Sequence, residues 1–266
     1  VLLHGWPESW LTWRHVMGPL RDAGFTVAAR DLRGFGDSEK PARVDAYGLD
    51  RVADDVVAVV HALGFEKAHV IGHDWGGVVA WHLGQFHGDV VDKLVVMNAP
   101  HPAIFSKRMR SIEQLKASYY MFVFQVPVAA ERLVSAKDFK PLKNIMRYQP
   151  KRKGAFDDED VRLYVEQMKK PGALTSGLNY YRAAARAIAS GKAQRPQTIT
   201  RPTLVLWGLD DSALPPGNLD GLERWVTDLR VVRLPNCSHW VQHDAPEKIV
   251  DETLAFFGVK AQSAAA

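Results

Sequence analysis

Residues 68–77, with the sequence AHVIGHDWGG, join an apolar run typical of a buried strand to a segment with helical periodicity. Gly72 and Gly76 flank Asp74 at the junction. In a tight strand-to-helix turn the central residue adopts a strained conformation, and there is no room for side chains beside it. The pattern predicts that Asp74 stands above the carboxyl edge of a sheet, where the helix dipole favours an ionised carboxylate. The alternative is that Asp74 only caps the helix.

Strand-like and helical segments alternate outward from this turn. Apolar runs typical of buried strands occupy residues 1–3, 26–29, 68–72, 93–97, 203–207 and 230–234. Helical periodicity occupies residues 10–21, 50–63, 77–87, 215–227 and 246–257. Alternation of this kind predicts a parallel sheet with helices on both faces.

The alternation stops between about residues 101 and 202, where the chain is aromatic-rich and helical in pattern. We therefore predict an α/β core built from residues 1–100 and 201–260. An α-helical lid is predicted for residues 101–200, and a flexible tail for residues 261–266.

Composition excludes several classes of protein. The chain has 266 residues, of which 47% are hydrophobic and 24% charged, as in ordinary globular proteins. The formal net charge of +4 is too mild for a nucleic-acid partner. The longest apolar runs fall well short of the ~20 residues that span a bilayer. The single cysteine, Cys237, excludes an intrachain disulfide, so we expect a reducing, cytoplasmic location.

Two polar residues after later strands complete a predicted catalytic set. Asp211 follows the apolar run 203–207, and His239 follows the last one. The chain order Asp74, Asp211, His239 is nucleophile, acid and base, the order expected of α/β-hydrolases. His239 would accept a proton from water, and Asp211 would orient the imidazole. Asp210 competes with Asp211 for the acid's role.

The loop after the first strand reads His4-Gly5-Trp6-Pro7. In an α/β-hydrolase this loop supplies a backbone N–H to the oxyanion hole, here that of Trp6, and the N–H of Trp75 after the nucleophile supplies the second. The Trp6–Pro7 bond is a candidate cis peptide. An ordinary turn is the alternative. No side chains have zinc-ligand spacing, and no metal or other cofactor is expected.

An aspartate at the nucleophile turn suits displacement at a saturated carbon, because a carboxylate is already ionised at neutral pH. Haloalkane dehalogenation and epoxide opening both fit. A halide leaves without a proton, whereas an epoxide oxygen needs an acid such as a tyrosine phenol. The predicted lid contains the doublets 119–120 and 180–181. Adjacent helical residues point about 100° apart, so one tyrosine of each doublet can face the cleft. Packing is the alternative role.

Three stretches together resemble the soluble epoxide hydrolases of the α/β-hydrolase superfamily: HGWPESW at 4–10, GHDWGG at 72–77 and NYYR at 179–182. The resemblance runs along nearly the whole chain. It implies a ring-opening pair at Tyr120 and Tyr181. The apolar, aromatic lid predicts a small apolar epoxide, with water as the second substrate. The family's fold has further strands before the HGWP loop, and here only residues 1–3 precede it, so we expect an incomplete sheet edge.

Two other functions are compatible with parts of this pattern. Haloalkane dehalogenases also carry Trp after the nucleophile, but their usual Asn in the first loop is Trp6 here. A non-catalytic ligand-binding protein of the same fold has no need of a nucleophile, a base, an acid and two tyrosines together. We expect a monomer or a homodimer.

Overall fold

A six-stranded parallel sheet organises the computed structural model, which describes residues 1–259. Its strands are β1 (Leu2–Leu3), β2 (Ala29–Arg30), β3 (Ala68–His73), β4 (Val91–Met97), β5 (Thr203–Gly208) and β6 (Leu229–Leu234). Their order across the sheet is β2-β1-β3-β4-β5-β6, and every neighbouring pair is parallel. The predicted α/β-hydrolase fold class is confirmed. The tail predicted at 261–266 lies outside the described residues.

The helices flank the sheet and fill the long connection between β4 and β5. They are α1 (Arg14–Asp22), α2 (Leu49–Ala62), α3 (Trp75–Phe86), α4 (Pro102–Arg108), α5 (Ile112–Ala117), α6 (Tyr119–Val123), α7 (Ala129–Tyr148), α8 (Asp158–Lys169), α9 (Ala173–Ala189), α10 (Val241–Asp244) and α11 (Pro246–Phe257). We call residues 101–200 the helical insertion, and it carries α4 to α9. Helix α7 is broken at residues 136–139, where three consecutive residues have positive φ.

Each face of the sheet has its own apolar cluster, because successive strand residues point to opposite faces. One face carries Val70, Leu94, Val96, Val205 and Trp207, and the other carries Ile71, Val95, Met97, Leu204 and Leu206. Val52 of α2 and Val79 of α3 pack into the first cluster. Val16 of α1 and Ile249 of α11 pack into the second. Both faces are therefore covered, as a parallel sheet requires.

Two predicted elements were wrong in type or position. The helix predicted at 215–227 is instead two short 3₁₀ turns, Pro216–Leu219 and Leu222–Arg224. Between them Gly221 has a φ of 87°, a left-handed conformation that interrupts a helix. The strand predicted at 26–29 is Ala29–Arg30, which pairs with Leu2 and Leu3 of β1.

The direction of chain progression reverses at β1, since β2 lies on one side of it and β3 on the other. In open α/β sheets, sites form outside the carboxyl ends of the strands at such a switch point. The loop after β1 and the turn after β3 therefore meet at one place, and these segments carry the His4–Pro7 loop and Asp74.

Candidate active site

The turn between β3 and α3 holds Asp74 in a strained conformation, with φ 50° and ψ −120°. Such strain persists only where the surrounding structure enforces it, and it is concentrated at functional sites. The flanking glycines make the turn possible. A Cβ at Gly72 would lie 2.3 Å from the carbonyl oxygen of Gly76, and one at Gly76 would lie 2.0 Å from that of Leu3.

The loop after β1 supports the Asp74 carboxylate from one side. The backbone N–H of Trp6 donates to Asp74 Oδ1 at 2.7 Å. A Cβ at Gly5 would lie 2.3 Å from the same oxygen, so this position requires glycine. The Trp6–Pro7 peptide is cis, as expected. Among the residues described, the N–H of Trp75, the second expected donor, forms no hydrogen bond to Asp74.

The imidazole of His239 lies between two carboxylates. Its Nδ1 is 2.7 Å from Oδ2 of Asp211, and its Nε2 is 3.6 Å from Oδ2 of Asp74. Asp74 therefore presents one oxygen to the Trp6 N–H and the other to the imidazole. The three residues named from chain order meet at the carboxyl edge of the sheet, although the sequence separates them widely.

Asp211, and not Asp210, contacts His239. The Asp211 carboxylate is buried, and its Oδ1 accepts from the N–H groups of Ala213 at 2.8 Å and Leu214 at 2.9 Å. Asp210 is exposed to solvent. Backbone donors thus fix the orientation of the carboxylate that in turn orients the imidazole.

Sequence reasoning missed Asn98, which anchors the acid. Asn98 directly follows β4 with a φ of 39°. Its Nδ2 donates to Asp211 Oδ2 at 2.7 Å, and its Oδ1 accepts from the N–H of Gly208 at 2.9 Å. A polar residue directly after a central parallel strand was the available signal, because sites form at that edge.

Charge coupling shifts the pKa values of the base and the acid in opposite directions. Burial by itself would lower the pKa of His239, but the carboxylates of Asp211 and Asp74 outweigh it and raise this pKa well above its usual range. Burial would raise the pKa of Asp211, but His239, Asn98 and a backbone N–H lower it overall. The arrangement therefore stabilises the charged form that the His239 imidazole takes when it accepts a proton.

Two tyrosines of the helical insertion face the site. The rings of Tyr120 and Tyr181 meet edge to face, with 6.0 Å between their centroids. Tyr119, the neighbour of Tyr120, is 67% exposed. Tyr180, the neighbour of Tyr181, is buried and donates its hydroxyl to the carbonyl of Arg33 at 2.8 Å. The second tyrosine of each doublet faces the site, whereas Tyr119 faces solvent and Tyr180 packs in the core; we call Tyr120 and Tyr181 the inward tyrosines.

The inward phenols lie within the field of the Asp74 carboxylate. Burial and then the charge of Asp74 raise the pKa of both Tyr120 and Tyr181 above its ordinary value. Both phenols therefore stay protonated at neutral pH and are available as hydrogen-bond donors. The ring of Tyr181 also packs edge-on against Trp6 and Trp75, at centroid distances of 6.1 Å and 4.9 Å.

A buried polar network beneath the site was also missed by the sequence reasoning, which gave Glu8 no role. Glu8 Oε2 is 2.7 Å from His73 Nδ1, and His73 Nε2 is 2.8 Å from the carbonyl oxygen of His239. Glu8 also accepts from Thr12 at 2.5 Å and Gln242 at 2.9 Å. Burial would raise the pKa of Glu8, but neighbouring His73 lowers it strongly. The network fixes the backbone of the residue that carries the base.

We also searched the described residues for a metal site, a reactive thiol and a membrane-spanning helix. Within residues 1–259, no three His, Cys, Asp or Glu side chains are grouped so that they could bind a metal ion. Burial raises the pKa of Cys237 to about 11, so the thiol stays protonated and is a poor nucleophile. None of the helices in this part of the chain combines the length and apolarity needed to cross a bilayer.

Fold and site together define the class of this protein. A family model described as alpha/beta hydrolase fold matches residues 1–246. The AB hydrolase superfamily protein YfhM of Bacillus subtilis is 37% identical, over 92% of this chain and 85% of that protein. Epoxide hydrolase 3 of Xenopus tropicalis is 36% identical, over 94% of this chain and 68% of that protein.

Solved structures of epoxide hydrolases are similar to this chain along nearly its whole length. A variant of an epoxide hydrolase from Bacillus megaterium superposes with a TM-score of 0.89 at 29% identity, covering 97% of this chain and 92% of that one. A second variant, complexed with its product (R)-3-[1]naphthyloxy-propane-1,2-diol, gives 0.88 at the same identity and coverage. The chain belongs to the epoxide hydrolases of the α/β-hydrolase superfamily, a family of hydrolytic enzymes.

Proposed function

We propose that this protein opens an apolar epoxide to a vicinal diol through a covalent ester on Asp74. The observation that carries the proposal is a single carboxylate held between the Trp6 N–H and the His239 imidazole, with the phenols of Tyr120 and Tyr181 within its field. A halide leaving group would have no use for the phenols, because it departs without a proton. An epoxide oxygen departs as an alkoxide and needs them.

In the first step Oδ2 of Asp74 attacks an epoxide carbon. Oδ1 is the oxygen bound by the Trp6 N–H, which leaves Oδ2 as the nucleophile. A C–O bond forms to the enzyme as the C–O bond of the ring breaks. The departing oxygen accepts hydrogen bonds from Tyr120 and Tyr181 and then takes a proton from one of them, which is left as a tyrosinate. The negative charge moves from Asp74 to the substrate oxygen during this step. The Asp74 charge therefore no longer raises the pKa of the phenols at the moment when the substrate oxygen takes a proton from one of them.

In the second step His239 removes a proton from water, and the hydroxide attacks Cγ of the Asp74 ester. The negative charge develops on Oδ1, where the Trp6 N–H stabilises it, with the Trp75 N–H as the second donor we propose. Collapse of this intermediate breaks the Cγ–Oδ2 bond. The alkoxide that leaves takes the proton from His239 and completes the diol. Asp74 is left as a carboxylic acid that holds an oxygen from water, and its proton returns to the tyrosinate formed in the first step, so both groups regain their starting states.

Aromatic side chains around the carboxylate favour an apolar, aryl-bearing substrate. Trp6 packs against Phe124 at 5.1 Å between centroids, and Phe124 packs against Tyr181 at 5.1 Å. Such walls bind by burial of apolar area rather than by hydrogen bonds. The naphthyloxy-propanediol product of the Bacillus megaterium relative has this chemistry. We propose that the helical insertion is a lid domain that closes over the substrate.

Purified protein incubated with styrene oxide and a panel of terminal and internal epoxides tests the activity, with the diol as the readout. A single turnover in heavy-oxygen water then tests the ester. We expect an unlabelled diol and label in the Asp74 carboxylate, which peptide mass spectrometry locates. Label in the diol of the first turnover would rule out the ester, because water would then have attacked the epoxide directly.

A further inference from the structure

The carboxylate of Asp244, the last residue of α10, joins the helical insertion to the loop of the base. Its Oδ1 accepts from the backbone N–H groups of Lys151 at 2.7 Å and Arg152 at 2.9 Å. Its Oδ2 accepts from the N–H of Ser238 at 2.7 Å and from the hydroxyl of Ser238 at 2.6 Å. One side chain thus receives four donors, two from the insertion and two from the residue before His239.

On the core side, the Asp244 carboxylate binds the loop formed by residues 235–240, between β6 and α10, which carries His239. The His239 side chain is oriented by Asp211, and its carbonyl oxygen faces His73 Nε2 at 2.8 Å. Ser238 is the preceding residue, and Asp244 holds both its N–H and its hydroxyl. The backbone of the base is therefore constrained from two sides, once by His73 and once by Asp244.

On the insertion side, the same contact lies in the connection between α7 and α8, residues 149–157. Neighbouring contacts join this region to the core. Arg14 forms an ion pair with Asp160 at 2.6 Å, and the ring of Phe156 packs against that of His243 at 4.1 Å between centroids. The insertion that is docked here also carries both inward tyrosines.

We propose that Asp244 is a positioning residue that couples the seating of the helical insertion to the placement of His239. The proposal rests on the proposed function, because the insertion supplies the phenols of the first step and His239 supplies the base of the second. A carboxylate suits this task, since it accepts on both oxygens and charge assistance strengthens each bond. An asparagine at this position would have a single accepting oxygen. Its NH₂ group would face two hydrogen-bond donors and could not accept from them.

Three variants separate the two sides of the contact. Asp244→Asn disturbs both sides, whereas Ser238→Ala disturbs the base side alone, because the Ser238 hydroxyl donates to Asp244 and accepts from the Trp240 N–H at 3.2 Å. Glu247→Gln is the matched control, because exposed Glu247 binds the Arg152 guanidinium at 3.0 Å and hydrogen-bonds nothing in residues 235–240. Stopped-flow single-turnover measurements with styrene oxide resolve the rates of ester formation and ester hydrolysis in each variant, and thermal melts report folding.

We expect Asp244→Asn to slow ester formation and ester hydrolysis each about tenfold. Ser238→Ala should slow hydrolysis alone, and Glu247→Gln should stay within about twofold of the parent in both steps. If Asp244→Asn does not fold, the selective loss of hydrolysis in Ser238→Ala still tests the base side, and its absence would refute the coupling.

The proposal would be overturned if Asp244→Asn formed and hydrolysed the ester at the same rates as Glu247→Gln. It would also be overturned if the rate of ester formation were unchanged in Asp244→Asn. A lower melting temperature with both rates retained would do the same, since it would assign Asp244 to stability alone. Failure of the proposed function is distinguishable, because the parent protein itself would then form no ester and no diol.

Discussion

The backbone N–H of Trp6 donates to Oδ1 of Asp74 across 2.7 Å, while Oδ2 of the same carboxylate faces His239 Nε2 at 3.6 Å. The oxygen that would carry the negative charge during ester hydrolysis therefore already occupies the position of the oxyanion. A donor fixed before the reaction costs no reorganisation when charge develops, and donors of this kind contribute ~3 kcal/mol to stabilising the transition state. This asymmetry assigns separate roles to the two oxygens.

Replacing His239 by glutamine should trap the ester on Asp74. The nucleophile and the phenols remain, so the first step proceeds, whereas ester hydrolysis loses its base and slows at least about 100-fold. Intact-mass spectrometry after mixing with styrene oxide should show the mass of one added epoxide per chain. A steady-state rate equal to that of the parent protein would exclude His239 as the base.

Removing both inward phenols, with Tyr120→Phe and Tyr181→Phe together, should slow ester formation at least about 100-fold, because the departing oxygen loses its acid. Tyr119→Phe is the matched control. It deletes a hydroxyl of the same doublet from a side chain that is 67% exposed, and the rate should be unchanged. Epoxide turnover retained in the double variant, together with halide release from haloalkanes, would favour a dehalogenase.

Asp211→Asn should move the pH dependence of ester hydrolysis. This step needs a neutral imidazole, so in the parent protein its rate falls as the pH drops through the pKa of His239. The Asp211 charge raises that pKa, and removing the charge lowers it, so the fall should move to lower pH. The maximum rate should also drop at least about 100-fold, because the imidazole loses its orienting carboxylate. Single-turnover rates measured across the pH range in which the protein stays folded locate the midpoint of this titration in both proteins, and an unmoved midpoint would contradict the assignment.

Gly5→Ala should inactivate the protein, because the new Cβ would lie 2.3 Å from Asp74 Oδ1 and displace the nucleophile. Moving the attacking carboxylate by about 1 Å costs on the order of 100-fold in rate, and we expect a loss of that magnitude in ester formation. Gly18→Ala provides the control, since a Cβ at this position in α1 lies more than 4 Å from every atom outside the helix's own backbone and its chain neighbours Met17 and Pro19. It should leave the rate of ester formation unchanged. Equal activity in the two variants would show that the Gly5 contact is not required.

Local patterns were sufficient to predict the strand, the turn and the helix around Asp74. The glycines of such a turn are dictated by contacts within the turn and with the adjacent strand, so they are written into a short stretch of sequence. The helix at 246–257 was predicted with the bounds that the structure gives it. The order of Asp74, Asp211 and His239 along the chain was informative because each follows a strand of one parallel sheet, whose carboxyl ends meet at one edge.

Only the tertiary structure decided the choices that depend on residues distant in the chain. It brought Asp211 rather than Asp210 to His239, turned Tyr120 and Tyr181 inward, and added Asn98 as the anchor of the acid. Sequence periodicity encodes which face of an element is apolar, but it does not encode which neighbour lies against that face. That information arises only when the strands are ordered in the sheet and the helical insertion is packed against the core.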